Sequence, residues 1–244
     1  MEAGRGVLQG GLLLLLCFLV LTVVVTQDRL MDVDRAARSL VHQSHYPSLL
    51  TFMAGASYLG GETGQVAVVV VGLAALWPRR RRWAMALPLV VAGAGLAQYL
   101  AKWAVARPRP NLEEWGFPSA HVLSLVVLCG YLTYAVSSRS VRRRQRLAMG
   151  VCALVVGIVA YSRMYLDVHW LSDIIGGFTA GLAYLLLAIW VVESAPRLRR
   201  ALRSTPLASG ADGGLLVPAA VGMSADLLVV SAATIRESPA TDAS

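Results

Sequence analysis

The chain has 244 residues, of which 57% are hydrophobic and 15% are charged, and its mean hydropathy is +0.61. Such a composition exceeds what a soluble core of this size needs and excludes an ordinary soluble domain. The net charge of +8 would allow a nucleic-acid partner, but the arginines lie in short segments beside apolar runs, where anionic lipid headgroups are the expected partner. The sequence therefore predicts an all-α, polytopic membrane protein that contacts membrane lipids and no nucleic acid.

Six apolar segments are candidates for membrane-spanning helices, each of which needs about 20 residues. They are residues 7–26, 59–77, 83–101, 122–136, 147–165 and 174–192. The fourth segment is short for a span, so its helix is expected to extend into its flanks. The first segment follows a single arginine, Arg5, and precedes no small-residue cleavage site, which favours a retained signal-anchor helix over a cleaved signal peptide.

One further apolar segment precedes the second predicted span. Residues 47–58 are apolar, but the glycine-rich residues 60–64 separate them from that span. We interpret residues 47–58 as an interfacial or re-entrant helix.

The last part of the chain is predicted to lie outside the six-helix bundle. The membrane domain covers residues 1–203, and residues 204–244 are expected to form a flexible cytoplasmic tail because they contain Ser, Thr, Pro, Gly and Asp. Residues 215–235 are apolar enough to leave a seventh span open, although Pro218 and Asp226 interrupt them.

Arginine-rich connections predict the orientation of the bundle. Clusters of arginine occur at residues 79–82, 139–146 and 197–203. By the positive-inside rule these connections are cytoplasmic, and both termini are then cytoplasmic as well. Residues 27–46 mix acidic and basic side chains without a positive bias, as expected for a translocated loop. The connections at residues 102–121 and 163–173 are therefore predicted to meet on the non-cytoplasmic face.

The cysteines indicate neither a disulfide framework nor a zinc site. Cys17, Cys129 and Cys152 all lie within apolar segments and lack the spacing of metal ligands. They are interpreted as small packing or lipid-facing residues.

The first polar motif combines the chain's only lysine, Lys102, with Arg109. The third span should end before Pro108, because the proline ring removes a donor and pushes its predecessor out of the helical region. Lys102 then lies on the last turns of the helix and Arg109 just beyond it, so both cations can converge on one anion. The alternative is that Lys102 snorkels to the interface while Arg107 and Arg109 solvate a loop.

The second motif, Ser119-Ala120-His121, precedes the fourth span. A serine hydroxyl and the backbone N–H groups at a helix N-terminus can form a cradle for an anion. His121 could deliver a proton beside that cradle, since an ordinary histidine titrates near neutrality. The alternative is an N-cap serine followed by an interfacial histidine.

The third motif places His169 four residues before Asp173. On a helix the two would share a face, and the carboxylate could accept a hydrogen bond from one ring nitrogen and leave the other free to attack. A metal site is disfavoured because the nearby polar groups are cations and a hydroxyl. Asp167 is expected to be the N-cap of the last span.

Together the three motifs resemble the type 2 phosphatidic acid phosphatase (PAP2) family, whose pattern is K-x6-R-P, P-S-G-H and S-R-x5-H-x3-D. In this chain the pattern reads Lys102 to Arg109-Pro110, then Pro118-Ser119-Ala120-His121, then Ser162-Arg163 through His169 to Asp173. Ala120 stands where the family has glycine. Alanine keeps the backbone N–H but requires ordinary φ and ψ, so a slight displacement of the anion cradle is expected.

The resemblance implies a phosphatase that needs neither metal nor cofactor. His169 would be the nucleophile, oriented by Asp173, and His121 would protonate the leaving group. The phosphate would be held by Lys102, Arg109, Ser119, Ala120 and Arg163.

The resemblance also implies a lipid phosphate substrate in a bacterial cytoplasmic membrane. Polyprenyl diphosphate, such as undecaprenyl diphosphate, is the favoured substrate, and phosphatidate or phosphatidylglycerol phosphate is the alternative. A non-catalytic lipid-binding or transport protein on the same fold would be favoured if the nucleophile, the acid or one of the cations were replaced, and none is. A soluble vanadate-dependent haloperoxidase has a similar anion pocket, but six predicted spans argue against it.

Gly177 and Gly181 form a GxxxG pattern in the last span. Such a pattern could support a homodimer in the membrane, although close packing within one chain is its more common use.

The predicted orientation can be tested by cysteine labelling in intact cells. In a variant without the native cysteines, a cysteine at Glu114 should react with an impermeant thiol reagent, and one at Ser138 should react only after lysis. Equal labelling of the two positions in intact cells would overturn the orientation.

Overall fold

This computed structural model describes residues 2–43, 46–137 and 142–204. The predicted tail, apart from its first residue, and the possible span at residues 215–235 lie outside this part of the chain. Within the described ranges the regular structure is entirely helical. The helices are α1 (Glu2–Thr26), α2 (Met31–His42), α3 (Pro47–Leu59), α4 (Glu62–Leu76), α5 (Arg81–Val105), α6 (Ala120–Ser137), α7 (Arg142–Tyr165) and α8 (Leu171–Ser204).

Helix length and composition give four or five candidate membrane spans in the described residues. Four helical segments are long and apolar enough by themselves: Gly4–Thr26, Arg81–Val105, Arg143–Tyr165 and Leu171–Pro196. Helices α3 and α4 qualify together, as a pair bent by 50° at their break. The apolar part of α6, Ala120–Val136, is shorter than a full span. The all-α membrane fold is confirmed, and the count of six spans stays a prediction.

Helix α6 packs against neighbouring helices on two sides. On one side Leu128 and Tyr131 pack into a cluster with residues of α4, α5 and α8. On the other side Val122 and Leu125 pack with residues of α7 and α8. Neighbouring helices shield α6 from lipid, so its own apolar length need not match the hydrocarbon thickness.

The bend between α3 and α4 falls at Gly60 and Gly61. Pro47 stands at the first position of α3, where its missing N–H costs no helical hydrogen bond. The predicted separate helix before the second span is therefore present, and its axis differs from that of α4.

Residues 31–42 are helical, whereas the sequence predicted only a translocated loop there. Helix α2 buries Asp34 and Val41, which lie seven residues apart and so on the same face of a helix. Val41 packs with Met53 of α3 and Tyr165 of α7. An apolar face was not recognisable in the sequence of this helix, because one of its buried residues is an aspartate.

The glycine face of α8 packs against α6 of the same chain. A Cβ atom at Gly177 would lie 2.7 Å from the carbonyl oxygen of Ser119, and one at Gly181 would lie 3.0 Å from that of Leu123. Small residues thus allow the two backbones to approach closely, as is common in membrane bundles. Since this face is covered, a homodimer would need another surface, and the dimer stays a prediction.

The end of α5 and the starts of α6 and α8 meet at one end of the bundle. Helix α5 ends at Val105, as predicted from Pro108, and Ala106 follows in the left-handed conformation with φ 48°. The N–H of Ser119, just before α6, donates to the carbonyl of Asp173 in α8 at 3.0 Å. This bond joins the starts of α6 and α8. The connections at residues 102–121 and 163–173, which carry the polar motifs, are therefore adjacent.

Substitution of the glycine face should separate packing from helix propensity. Gly177→Ala should destabilise the protein by about 1–3 kcal/mol, because its methyl group overpacks the α6 contact. Gly157→Ala in α7 is the matched control, since a Cβ there meets nothing within 4 Å. It should be neutral or slightly stabilising, because alanine favours a helix over glycine. Unfolding in detergent measures both variants, and an equal effect would contradict the close α6–α8 packing.

Candidate active site

His169 and Asp173 form a buried pair at the start of α8. His169 Nδ1 lies 3.3 Å from Asp173 Oδ2. That carboxylate oxygen also accepts a hydrogen bond from the Trp170 N–H at 2.9 Å. A side chain that reaches back in this way to an N–H at the helix start is common at helix N-termini. The predicted shared helix face is wrong, because α8 begins at Leu171 and His169 lies in the preceding turn. His169, just before α8, and Asp173, in the first turn of α8, are nevertheless close enough for their side chains to meet.

Burial keeps the imidazole of His169 neutral. The side chain is 3% exposed, and burial lowers the pKa of His169 to about 4. The hydrogen bond and charge of Asp173 oppose that lowering of the pKa, while the charges of Arg163 and Lys102 reinforce it. At neutral pH the ring therefore retains an unprotonated nitrogen.

Three predicted phosphate-binding cations surround this pair. Lys102 is buried at the end of α5, and its Nζ donates to the carbonyl of Trp115. Arg163, at the end of α7, donates through Nη1 to the hydroxyl of Ser57 at 2.5 Å. The charges of Lys102, Arg109 and Arg163 lie within electrostatic range of one another. Such mutual repulsion favours an anion among them.

Arg109 belongs to the loop between α5 and α6. Its Nη1 donates to Glu113 Oε2 at 2.6 Å, and Glu113 is 61% exposed. Solvent-exposed ion pairs of this kind contribute about 0–1 kcal/mol. An incoming anion can therefore replace Glu113 as the partner of Arg109.

Several buried polar atoms of the described residues have no hydrogen-bond partner. They are the Nε atoms of Arg107, Arg109 and Arg163 and the hydroxyl oxygen of Ser119. Three of the four belong to residues that the motifs predicted to bind phosphate. An unsatisfied buried donor costs about 1–3 kcal/mol, so the oxygens of an anion would relieve a real deficit here.

Ser119 and Ala120 begin the second side of the site. Ser119 is fully buried, its N–H donates to Asp173 and its carbonyl accepts from Leu123, but its hydroxyl has no partner among the described residues. An N-cap serine would use that hydroxyl within its helix. Ala120 is not among the residues with positive φ, so the glycine of the family pattern is not required for the backbone there.

His121 lies against the bend between α3 and α4. A Cβ atom at Gly60 would lie 3.1 Å from both Cβ and Cδ2 of His121, and one at Gly61 would lie 3.8 Å from its Nε2. The imidazole is also within electrostatic range of His169 and of the three cations. The structure thus brings the two predicted catalytic histidines into one site.

A comparison with protein-family models matches residues 83–197 to the PAP2 superfamily. Over these residues, which carry all three motifs, the chain is similar to the PAP2 superfamily. Together with the apolar helices, this similarity supports an integral membrane protein.

Curated and solved relatives extend the PAP2 similarity over most of the chain. Phosphatidylglycerophosphatase B of Bacillus subtilis (strain 168) is 25% identical over 197 residues, which are 77% of this chain and 97% of the relative. Undecaprenyl-diphosphatase of Sulfolobus acidocaldarius is 24% identical over 199 residues, 75% of this chain and 92% of the relative. The crystal structure of a PAP2 type phosphatidylglycerolphosphate phosphatase from Bacillus subtilis aligns with a TM-score of 0.70 at 23% identity, covering 75% and 96% of the two chains. This last likeness shows a shared fold.

Ser162 and Asp167 lie in or beside the third motif, but their side chains bind partners away from the anion site. The hydroxyl of Ser162 donates to the Val159 carbonyl within α7 at 2.7 Å, so it is not directed at the anion site. Asp167 is not the N-cap of the last span, since α8 begins four residues later. It lies in the turn, where Arg38 of α2 donates to its two carboxylate oxygens at 2.6 and 2.5 Å. This hydrogen bond holds the pKa of Asp167 below its ordinary value.

The sequence did not identify Arg107, Asp34 and Ser57 as site residues. Arg107 was interpreted only as a loop-solvating cation, although it stands in the Arg-Pro-Arg-Pro run beside Arg109. Asp34 and Ser57 precede the motifs on separate helices, and no sequence pattern connects them with the site. Among the described residues, no group of three His, Cys, Asp or Glu is placed to hold a metal ion.

The titration of His169 can be measured directly by NMR of histidine-labelled protein. Its ring should stay neutral down to about pH 4, well below the ordinary value of 6.5. Because folding lowers the pKa of His169, the unfolded state binds more protons than the folded state between about pH 4 and pH 6.5. The contribution of His169 to the free energy of unfolding is therefore lost as the pH falls from 6.5 to about 4. His169→Gln assigns the resonance. A midpoint at or above 6.5 would contradict the buried, neutral imidazole.

Proposed function

We propose that this protein is a metal-independent lipid phosphate phosphatase of the PAP2 type that forms a phosphohistidine at His169. One observation carries the proposal: Arg109, Arg163 and Ser119, which have unpartnered buried polar atoms, lie near a buried histidine that is paired with a carboxylate. Cationic and hydroxyl donors of this kind suit the oxygens of a phosphoryl group.

In the first step, His169 attacks phosphorus. Asp173 holds Nδ1, so Nε2 supplies the electron pair that forms the N–P bond. The bond from phosphorus to the leaving oxygen breaks, and His121, whose protonated form the negative charge of the bound phosphate favours, gives that oxygen a proton. The charge that spreads over the other phosphoryl oxygens is stabilised by the phosphate-binding set named above: Lys102, Arg109, Ser119, the Ala120 N–H and Arg163.

In the second step, water releases inorganic phosphate. His121, now unprotonated, takes a proton from the attacking water, and the N–P bond breaks so that its electron pair returns to His169. General acid–base catalysis by one residue in both directions typically contributes about 10²- to 10⁴-fold to the rate. The enzyme then returns to its starting protonation state.

The position of the site at one end of the apolar helices supports a lipid substrate with its phosphate at headgroup level. In the proposed topology, six spans cross the membrane and the site faces the non-cytoplasmic side of a bacterial cytoplasmic membrane. Residues 204–244 form the cytoplasmic tail of this topology.

We propose a polyprenyl diphosphate, such as undecaprenyl diphosphate, as the substrate. The similarity to an undecaprenyl-diphosphatase supports it. Phosphatidylglycerol phosphate is the second candidate, and the likeness that covers 97% of a phosphatidylglycerophosphatase supports that choice.

Phosphate release by purified protein from a lipid panel tests the activity and ranks these substrates. The panel contains a polyprenyl diphosphate, phosphatidylglycerol phosphate and phosphatidate, and His169→Gln protein serves as the inactive control. The highest kcat/KM is expected for the polyprenyl diphosphate. No release from any lipid, together with saturable binding of these lipids, would indicate a non-catalytic lipid-binding protein instead.

The two histidines should fail in different ways. His169→Ala removes the nucleophile, so no phosphoenzyme should form on any substrate. His121→Ala removes proton delivery, so an aryl phosphate with a low leaving-group pKa should still phosphorylate His169, while hydrolysis of that intermediate slows. Acid-free trapping and mass spectrometry locate the phosphoryl group. Its appearance on His121, or turnover by His169→Ala, would show that the assigned roles are wrong.

A further inference from the structure

A chain of buried polar contacts connects α2 with Asp173. Arg107 donates through Nη1 to Asp173 Oδ1 at 3.0 Å and through Nη2 to Asp34 Oδ2 at 2.8 Å. Ser172 completes the set. Its hydroxyl accepts from Arg107 Nη1 at 2.6 Å and donates to Asp34 Oδ2 at 2.6 Å, and its N–H donates to Asp34 Oδ1 at 2.8 Å.

These charged groups are almost completely removed from solvent. Asp34 is 1% exposed, Arg107 is 5% exposed and Asp173 is 0% exposed. A buried charge is tolerated only when partners and hydrogen bonds replace its water. The guanidinium of Arg107 is therefore held between two carboxylates, and its orientation depends on both of them.

In this arrangement the two oxygens of the Asp173 carboxylate have different partners. Oδ1 accepts from Arg107, while Oδ2 faces His169 Nδ1 and the Trp170 N–H. Because Asp34 occupies Nη2, Arg107 presents Nη1 alone to Asp173. Without Asp34, the planar fork of the guanidinium would be free to bind both oxygens of Asp173, as arginine and carboxylate commonly do.

We propose that Asp34 is a positioning residue for the phosphatase reaction, acting through Arg107 to keep Oδ2 of Asp173 available to His169. The two arginines of the Arg-Pro-Arg-Pro run thus have separate tasks. Arg109 faces the phosphate, and Arg107 aligns the carboxylate that orients the nucleophile. The kinetic consequence rests on the proposed function, whereas the hydrogen bond of His169 does not.

The test compares Asp34→Asn with wild type in turnover and in NMR. Asparagine preserves the size of the side chain but removes the charge that balances Arg107. We expect kcat to fall about 10- to 100-fold, by analogy with the loss of residues that orient the ligands of a metal ion, with KM within about threefold. The Nδ1–H resonance of His169, assigned with His169→Gln, should shift upfield as its bond to Asp173 weakens.

A double variant tests whether the effect passes through Asp173. If Asp34 acts through Asp173, Asp34→Asn should cause no further loss of kcat in an Asp173→Asn background. A merely structural role would give the same fold loss in both backgrounds.

Asp167→Asn is the matched control. Asp167 also binds α2 to the turn before α8, through Arg38, but it does not contact Asp173. Asparagine also tolerates the positive φ of 59° at this position. This variant should keep the wild-type kcat and the wild-type His169 resonance. If Asp34→Asn does not fold, Ser172→Ala removes only the bridging hydroxyl and should shift the same resonance in the same direction.

The outcomes separate this inference from the proposed function. If wild-type protein releases no phosphate from any lipid, the proposed function fails, and the NMR comparison still decides whether Asp34 positions the pair. If wild type is active, then an unchanged resonance in Asp34→Asn, an additive double variant or an equal loss in Asp167→Asn would each overturn the inference.

Discussion

The concentration of positive charge at one end of the bundle is the constraint on which the rest of the structure depends. Lys102, Arg109 and Arg163 repel one another, and burial removes much of the water that would screen them. Each cation is therefore held by a different element and a polar partner: a backbone carbonyl, a carboxylate or a hydroxyl. Because these donors are already in place, an anion bound there would gain their attraction without a large reorganisation of the protein.

Helix α6 provides the framework that keeps this arrangement rigid. It is enclosed by the other helices, and the glycine face of α8 lets the two backbones meet near Ser119. In a bilayer, where apolar side chains gain little by leaving lipid, such close contact is a principal source of helix association. The packing of α6 against α8 and the position of Ser119 are thus consequences of the same small residues.

The sequence was sufficient for the helical membrane fold and for the end of α5, and the motif residues that it singled out lie near one another. These features depend on local signals: apolar length, a proline after a helix, and polar residues at a fixed spacing. The helix at residues 31–42 was missed because its buried face includes Asp34, whose partner Arg107 is distant in the chain. The roles of Ser57 and Arg107 depend on which helices are neighbours, and residue spacing carries no information about that.

The α3–α4 bend has a consequence for comparing proteins of this family. Gly60 and Gly61 form the wall against His121, yet they precede all three motifs. Larger side chains at the bend would press on the imidazole while every motif residue stayed the same. Under the proposed mechanism, two relatives with identical motifs would therefore differ in how they release an alcohol or a phosphate, and the residues at this bend are the place to look for that difference.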